Sequence, residues 1–145
     1  MRITTYTDYS IRVLMFLALK GDRQSTIQEI SESYDISRNH LMKVVQQLGR
    51  KGYLAATRGK NGGLLLKRPP ESIRVGALVR DMENDLALTE CFGSSNRCTI
   101  TPACCLRGVF AEALAAFFEA LDAYTLADIL PAERQPELAD ILHIN

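Results

Sequence analysis

Residues 25–54 read STIQEISESYDISRNHLMKVVQQLGRKGYL, two stretches of helical apolar spacing separated by a break of only three residues. Ser25 or Thr26 can cap the first stretch, which carries Ile27, Ile30 and Tyr34. Ser37 can cap the second, which sets Leu41, Val44, Val45 and Leu48 on one face and ends at Gly52. The intervening YDI has room only for a tight turn. Two short helices joined this way share one core, as in a helix-turn-helix unit.

The flanking segments extend that unit. Upstream, YTDYSIRVLMFLALKG predicts a helix with Thr7 as cap, Asp8 in the positive first turn and Gly21 as the stop. Downstream, YLAAT and LLLKR flank RGKNGG, which predicts a β-hairpin turning at Asn61-Gly62. Attached to a helix-turn-helix, such a hairpin is a wing. IRVGALVRDME predicts a further amphipathic helix. Thr101-Pro102 is expected to open a long helix, Thr as cap and Pro at the first helical position, with Cys104 in its first turn. Its apolar positions Leu106, Val109, Phe110, Ala113, Leu114, Phe117, Phe118 and Leu121 span an arc wide enough to need a second copy of the chain. The tail repeats LADIL at 126–130 and 138–142, read as two short amphipathic turns. The expected fold is mainly α. A winged helix-turn-helix domain with a two-stranded wing occupies residues 1–80. A cysteine-bearing loop follows over 81–105, and a long C-terminal dimerisation helix with its tail over 101–145.

Formal net charge is zero, but the charges are segregated. Residues 37–68 hold Arg38, Lys43, Arg50, Lys51, Arg58, Lys60, Lys67 and Arg68 and not one carboxylate. All seventeen acids lie elsewhere, against the nine remaining bases. A basic segment of that kind marks a surface that meets phosphates. The start of the second helix of a helix-turn-helix enters the major groove, and here it offers Ser37, Arg38, Asn39, His40 and Lys43. Arg forks onto guanine and Asn onto adenine. Arg58, Lys60 and Asn61 at the wing tip are expected to reach the DNA backbone or minor groove. RGKNGG lacks both the P-loop ending and the dinucleotide glycine spacing, so a nucleotide-binding enzyme is not the reading.

With 47% hydrophobic residues the chain can bury a real core. Its longest early apolar run, VLMFLAL, is followed by KGDR with no small-residue cleavage site, and seven residues fall far short of the roughly 20 of a membrane span. The expectation is a cytoplasmic protein without a membrane partner, in a compartment where thiols stay reduced.

All four cysteines lie in CFGSSNRCTITPACC, residues 91–105. The spacing C-x6-C-x5-C-C has neither the C-x2–4-C knuckle of structural zinc sites nor the C-x-x-C of thioredoxin-type centres, and His40 and His143 are distant in sequence. Adjacent residues Cys104 and Cys105 diverge on a helix, leaving Cys91, Cys98 and Cys104 as three well-spaced donors. Three such thiolates suit an iron–sulfur cluster with a fourth ligand from elsewhere. Zinc and redox-active thiols stay open as alternatives. A thiol redox enzyme would have only Arg97 and Arg107 nearby to activate its sulfur.

The segments TDYSIRVLMFLA, IQEISESYDISRNHLMKVVQQLGRKGYL, RGKNGGLLL and C…CTITPAC together resemble the bacterial winged-helix iron–sulfur repressors, the family that includes IscR. The resemblance extends to about residue 130. CTITPAC and LDAYTLADIL are most similar to its nitric-oxide-sensing branch; IscR-type members carry a His where this chain has Arg107. The resemblance implies a non-enzymatic homodimeric repressor that holds a 4Fe-4S cluster (a 2Fe-2S cluster being the lesser alternative), binds operator DNA and releases it on nitrosylation. It also implies the ligands Cys91, Cys98 and Cys104, with Asp8 contributed across the dimer. Sensing of iron–sulfur supply or of redox state is the alternative within the family. The chain departs from the family pattern in a slightly longer first cysteine gap and in the extra thiol, Cys105.

Overall fold

The computed structural model describes residues 1–145. The order of elements is α1 (Thr5–Lys20), α2 (Ile27–Tyr34), α3 (Arg38–Arg50), β1 (Leu54–Thr57), β2 (Gly63–Leu66), α4 (Val75–Met82), α5 (Leu106–Asp122) and α6 (Gln135–Ile141). Short 3-10 turns punctuate the loops at Pro70–Ser72, Glu90–Phe92 and Thr101–Ala103. No helix is long and apolar enough to cross a membrane. The architecture is mainly α, a winged helix-turn-helix followed by a long helix.

α1 starts one turn earlier than expected. Thr4, not Thr7, is its cap: the Thr4 hydroxyl accepts from the Thr7 amide at 3.3 Å, and Thr7 is wholly buried. Thr4 is held by Glu83, whose Oε1 accepts from the Thr4 amide at 2.7 Å and from its hydroxyl at 3.1 Å. Val13, Leu14, Phe16 and Leu17 form the buried face of α1, and Gly21 (φ 64°) closes the helix.

The cap of α2 is Thr26, in a reciprocal capping box with Glu29. Ser25 is instead extended and bridges to Leu64, its amide and carbonyl both hydrogen-bonded there (3.1 and 2.7 Å), so the wing is tied to the helical body. The break before α3 turns on Asp35 in the left-handed region (φ 52°, ψ 48°), and Ser37 caps α3 as expected by accepting from the His40 amide. Leu41, Val44, Val45 and Leu48 are buried. They join α1, the wing residues Leu54 and Leu64, and Leu78 and Met82 of α4 in one core.

β1 and β2 pair antiparallel, Leu54 opposite Leu66 and Thr57 opposite Gly63. The left-handed residue of the turn is Gly59 (φ 106°), not a residue of the Asn61-Gly62 pair, and the Gly62 amide donates to the Gly59 carbonyl at 3.0 Å. Gly62 is needed for a different reason: a Cβ there would overlap the Thr57 carbonyl. At the base of the wing, buried Tyr53 donates to Asp81 Oδ2 at 2.6 Å while the Arg68 guanidinium lies 4.5 Å over its ring. Burial, with the Asp81 carboxylate behind it, holds the Tyr53 hydroxyl well above its ordinary pKa.

The long helix differs from expectation at its start. Thr101-Pro102 opens a separate 3-10 turn, and α5 begins only at Leu106, with Cys105 at its cap position. The Thr101 hydroxyl faces the preceding loop, donating to the Cys98 carbonyl at 2.8 Å and accepting from Asn96 Nδ2 at 3.0 Å, and caps no amide ahead of it. Cys104 is extended (φ −84°, ψ 113°) and lies outside α5, not in its first turn as expected.

The other end of α5 is clasped. Arg80 of α4 forks onto Asp122 (Nη1 to Oδ1 2.9 Å, Nη2 to Oδ2 2.7 Å) and lies 4.2 Å from the centre of the Phe118 ring. Arg74 donates to the Asp122 carbonyl at 2.6 Å, and Arg74 and Thr125 form an antiparallel bridge. Beyond α5, Leu126, Leu130 and Leu142 return to the same core. The first LADIL is a turn, with Asp128 accepting from Thr125; the second lies in α6.

Gly76 faces Asp122 so closely that a Cβ would overlap Oδ1 and stand 3.1 Å from the Asp122 amide nitrogen. Because Arg80 fixes that carboxylate, Gly76→Ala is expected to destabilise the fold by about 1–3 kcal/mol, as overpacking does. In thermal melts Gly76→Ala/Asp122→Ala should lose less than the sum of the single changes, since Asp122→Ala removes the atom the new methyl meets. The side-chain hydrogen bond from Arg80 holds the Asp122 carboxyl below its ordinary pKa. Its stabilisation is therefore complete above the unfolded-state carboxylate value and lost as pH falls through the lower folded value. The acid limb of the melting profile should be shallower in Asp122→Asn than in the unaltered chain.

Candidate metal centre and nucleic-acid interface

The bases of residues 37–68 divide into two groups. Arg68 is occupied by the fold, donating to the Gly52 carbonyl at 3.0 Å and the Lys51 carbonyl at 2.8 Å, and Lys51 pairs with Asp81 at 3.4 Å. Arg38, Lys43, Arg50, Arg58, Lys60 and Lys67 make no ion pair, and all six are exposed in a segment without carboxylates. Arg38, Asn39, His40 and Lys43 stand together on the outer face of α3, while the Ser37 hydroxyl is engaged as its cap. Arg58, Lys60 and Asn61 are exposed in the wing turn, a separate projection of the same surface. The Tyr9 ring packs at 6.2 Å from that of His40, and the Tyr6 hydroxyl donates to the Lys43 carbonyl at 3.0 Å, so the start of α1 buttresses the start of α3.

Asp8 lies in the first turn of α1, half-exposed, with Arg12 Nη2 at 2.8 Å from Oδ2. The Arg12 guanidinium also sits 5.8 Å from the Tyr9 ring centre and 5.9 Å from that of Tyr34. Burial is the main cause that pushes the Tyr34 hydroxyl up to about 12.

The four cysteines are free thiols. Cys91 is half-buried in the 3-10 turn Glu90–Phe92, its Sγ 3.0 Å from Thr89 Oγ1. Cys98 is exposed, its amide donating to Asn96 Oδ1 at 3.0 Å. Cys104 is half-buried at the end of the Thr101–Ala103 turn, and Cys105 is exposed. No three Cys, His, Asp or Glu side chains converge closely enough to hold a metal ion in the single chain. The donor chemistry nevertheless fits an iron–sulfur cluster. Three accessible thiols on irregular backbone, tied only by local turn hydrogen bonds, can converge without unwinding a helix.

α5 carries an exposed apolar face. Leu106 and Val109 are 55% and 59% exposed, and only Phe118 of its predicted apolar positions is buried. Phe110, Leu114 and Phe117 line a groove of about 300 Å³ with Ile3, Leu86 and Leu88, next to the loop that carries the cysteines. Sequence reasoning missed the roles of Glu83, Arg80 and Asp122, which hold α1 and α5 through interactions between residues distant in the chain. It also passed over Met42, exposed amid the polar residues of α3; its apolar side chain off the buried stripe was the available signal.

The profile of the Rrf2 family, described as iron-dependent transcriptional regulators, matches residues 3–132. The HTH-type transcriptional regulator NsrR of Bacillus licheniformis is 48% identical over 132 residues, covering 90% of this chain and 92% of its own length. That of Bacillus subtilis is also 48% identical, covering 90% of each chain. Among solved structures, IscR of T. potens superposes with a TM-score of 0.72 at 25% identity, covering 90% of this chain and 86% of its own. CymR, the global cysteine regulator of B. subtilis, superposes at 0.70 with 24% identity over 89% of this chain and 95% of its own, a likeness of fold. A family profile spanning most of the residues, together with relatives nearly half identical over nine-tenths of the chain, establishes that this protein belongs to the Rrf2 family of transcriptional regulators.

Proposed function

We propose that the chain acts in the cytoplasm as a homodimeric repressor that binds operator DNA while it holds a 4Fe-4S cluster and releases it in response to nitric oxide. The observation that carries this reading is the single cysteine loop. Three free, spaced thiols lie between the DNA-binding body and an exposed apolar helix, in a chain 48% identical to regulators named NsrR. Cys91, Cys98 and Cys104 supply the thiolates, and Asp8 of the partner subunit supplies the fourth ligand. When bound, the cluster supplies iron that reacts with nitric oxide.

The chain's own residues do the rest. The apolar face of α5, Leu106 and Val109 foremost, packs against the second copy and brings each cysteine loop near the other chain's α1. The clasp at Asp122 fixes the far end of α5, so a change in the loop turns α5 about that point. Arg38, Asn39 and His40 present base-reading groups, Lys43 and Ser37 flank them, and Arg58, Lys60 and Asn61 hold the duplex from the wing. Only a difference in DNA affinity between the two cluster states is required.

Anaerobic reconstitution with iron and sulfide should give visible cluster absorbance in the unaltered chain and in Cys105→Ala, but none in Cys91→Ala, Cys98→Ala or Cys104→Ala. Zinc bound without sulfide would overturn the reading. Asp8→Ala should retain a cluster of altered absorbance or greater lability. A mixed dimer with Asp8→Ala on one chain and Cys91→Ala on the other should hold one intact and one doubly damaged site; a dimer whose only cluster has the altered absorbance or lability of Asp8→Ala would place the ligand within one chain.

Binding titrations at several salt concentrations separate helix from wing. Arg38→Ala or Asn39→Ala should relax discrimination at one or two base positions, at about 1–3 kcal/mol for each bidentate pair of hydrogen bonds broken. Lys60→Ala should weaken operator and random DNA alike and reduce the log–log salt slope by about 1 for every phosphate it ceases to neutralise in each subunit.

A further inference from the structure

The outer face of α3 is polar except at one position. Arg38, Asn39, Lys43, Gln46 and Arg50 are exposed on it, opposite the buried Leu41, Val44, Val45 and Leu48. In their midst stands Met42, 54% exposed. Every other large hydrophobic side chain of comparable exposure lies at the N-terminal tip, on the cysteine loop, on α5 or in the C-terminal tail. Met42 is thus the single such residue on the winged helix-turn-helix body. Helix propensity does not account for it, since Lys, Gln and Arg serve a helix about as well as Met. Nor does core packing, because Met42 points away from the buried stripe.

We infer that Met42 is a specificity-determining residue that packs on the C5-methyl group of a thymine in the major groove. This rests on the reading of the chain as an operator-binding repressor. Met42 follows Arg38 and Asn39 by one helical turn, so it faces the same groove one step further along the helix. Its flanks carry cations and no carboxylate, the surroundings expected of a side chain held against DNA and not against another protein's apolar surface. The thymine methyl is the apolar group that marks A·T pairs in the major groove, and it is invisible to the Arg and Asn beside it. A flexible thioether can follow that methyl without a preformed pocket.

The test starts from a palindromic duplex selected from a randomised pool by the cluster-loaded, unaltered protein. Each thymine of the selected duplex is then replaced in turn by deoxyuridine, which lacks only the methyl. One position per half-site should cost the unaltered protein about fourfold in affinity, the worth of one buried methyl-sized group. Met42→Ala, which alters both subunits, should bind the thymine duplex as weakly as the unaltered protein binds a duplex with that thymine replaced in both half-sites, and should no longer sense the replacement. Met42→Leu should keep the sensitivity. The inference is overturned if no thymine methyl matters, or if Met42→Ala still senses the same one. If the unaltered protein enriches no duplex at all, the repressor reading fails first and the role of Met42 with it.

Discussion

The burial of one face of α1 is the constraint on which the other elements depend. Val13, Leu14, Phe16 and Leu17 are almost without solvent exposure, and α3, α4 and β2 all pack on that helix. Burying four such side chains contributes about 1.5–3 kcal/mol each, more than any surface ion pair of the molecule can offer. Because α1 is fixed as a rod, the position of its first turn is fixed too. That turn carries Asp8 and Tyr9, the latter against His40 of α3. A core helix thereby places a proposed cluster ligand one residue from a side chain that touches the proposed DNA-reading helix.

The opposite constraint governs α5. Its C-terminal end is held by the Arg80–Asp122 fork, the Arg74 hydrogen bond and the Gly76 approach, whereas its N-terminal end carries the exposed Leu106 and Val109 and adjoins the cysteine loop. A helix of 17 residues spans roughly 25 Å at about 1.5 Å per residue. Over that length a small rotation about the clasped end would displace the loop by ångströms, and under the proposed function a displacement of the loop would reach α4, against which α5 packs. α4 shares its core with α3 and the wing, so packed elements run from the clasp of α5 to the proposed DNA-reading surface.

What was legible in the sequence follows from locality. The Ser37 cap, the tight break at residues 34–36, the buried stripe of α3 and the hairpin each depend on residues a few positions apart, and each stands where it was expected. The misplaced boundaries have non-local or competing partners. Thr4 outcompetes Thr7 as the cap because Glu83, 79 residues away, braces it. Thr101 does not cap α5, and its hydroxyl turns back to Cys98. Gly59 takes the left-handed position although Asn61-Gly62 is the stronger local signal, because the five-residue turn closes through the Gly62 amide. The three thiols stand apart in the single chain, and no local signal in the sequence sets their separation in space.

Asp8 already has a partner in Arg12, and the strength of that pair decides whether it obstructs a role as ligand. The two side chains are 45% and 42% exposed and stand four residues apart on one helix face. Exposed pairs of this kind are worth about 0.3–0.5 kcal/mol, because water screens them and both side chains lose freedom. The carboxylate also favours the positive first turn of α1, a further few tenths of a kcal/mol up to about 1. That second contribution does not oppose ligation, since the carboxylate stays in the first turn whichever atom it faces. Giving up Arg12 therefore costs less than one ordinary hydrogen bond, about 1 kcal/mol. Arg12 is not stranded by the exchange, because its guanidinium already lies between the Tyr9 and Tyr34 rings. The Arg12 pair is therefore too weak to obstruct the proposed ligand role of Asp8.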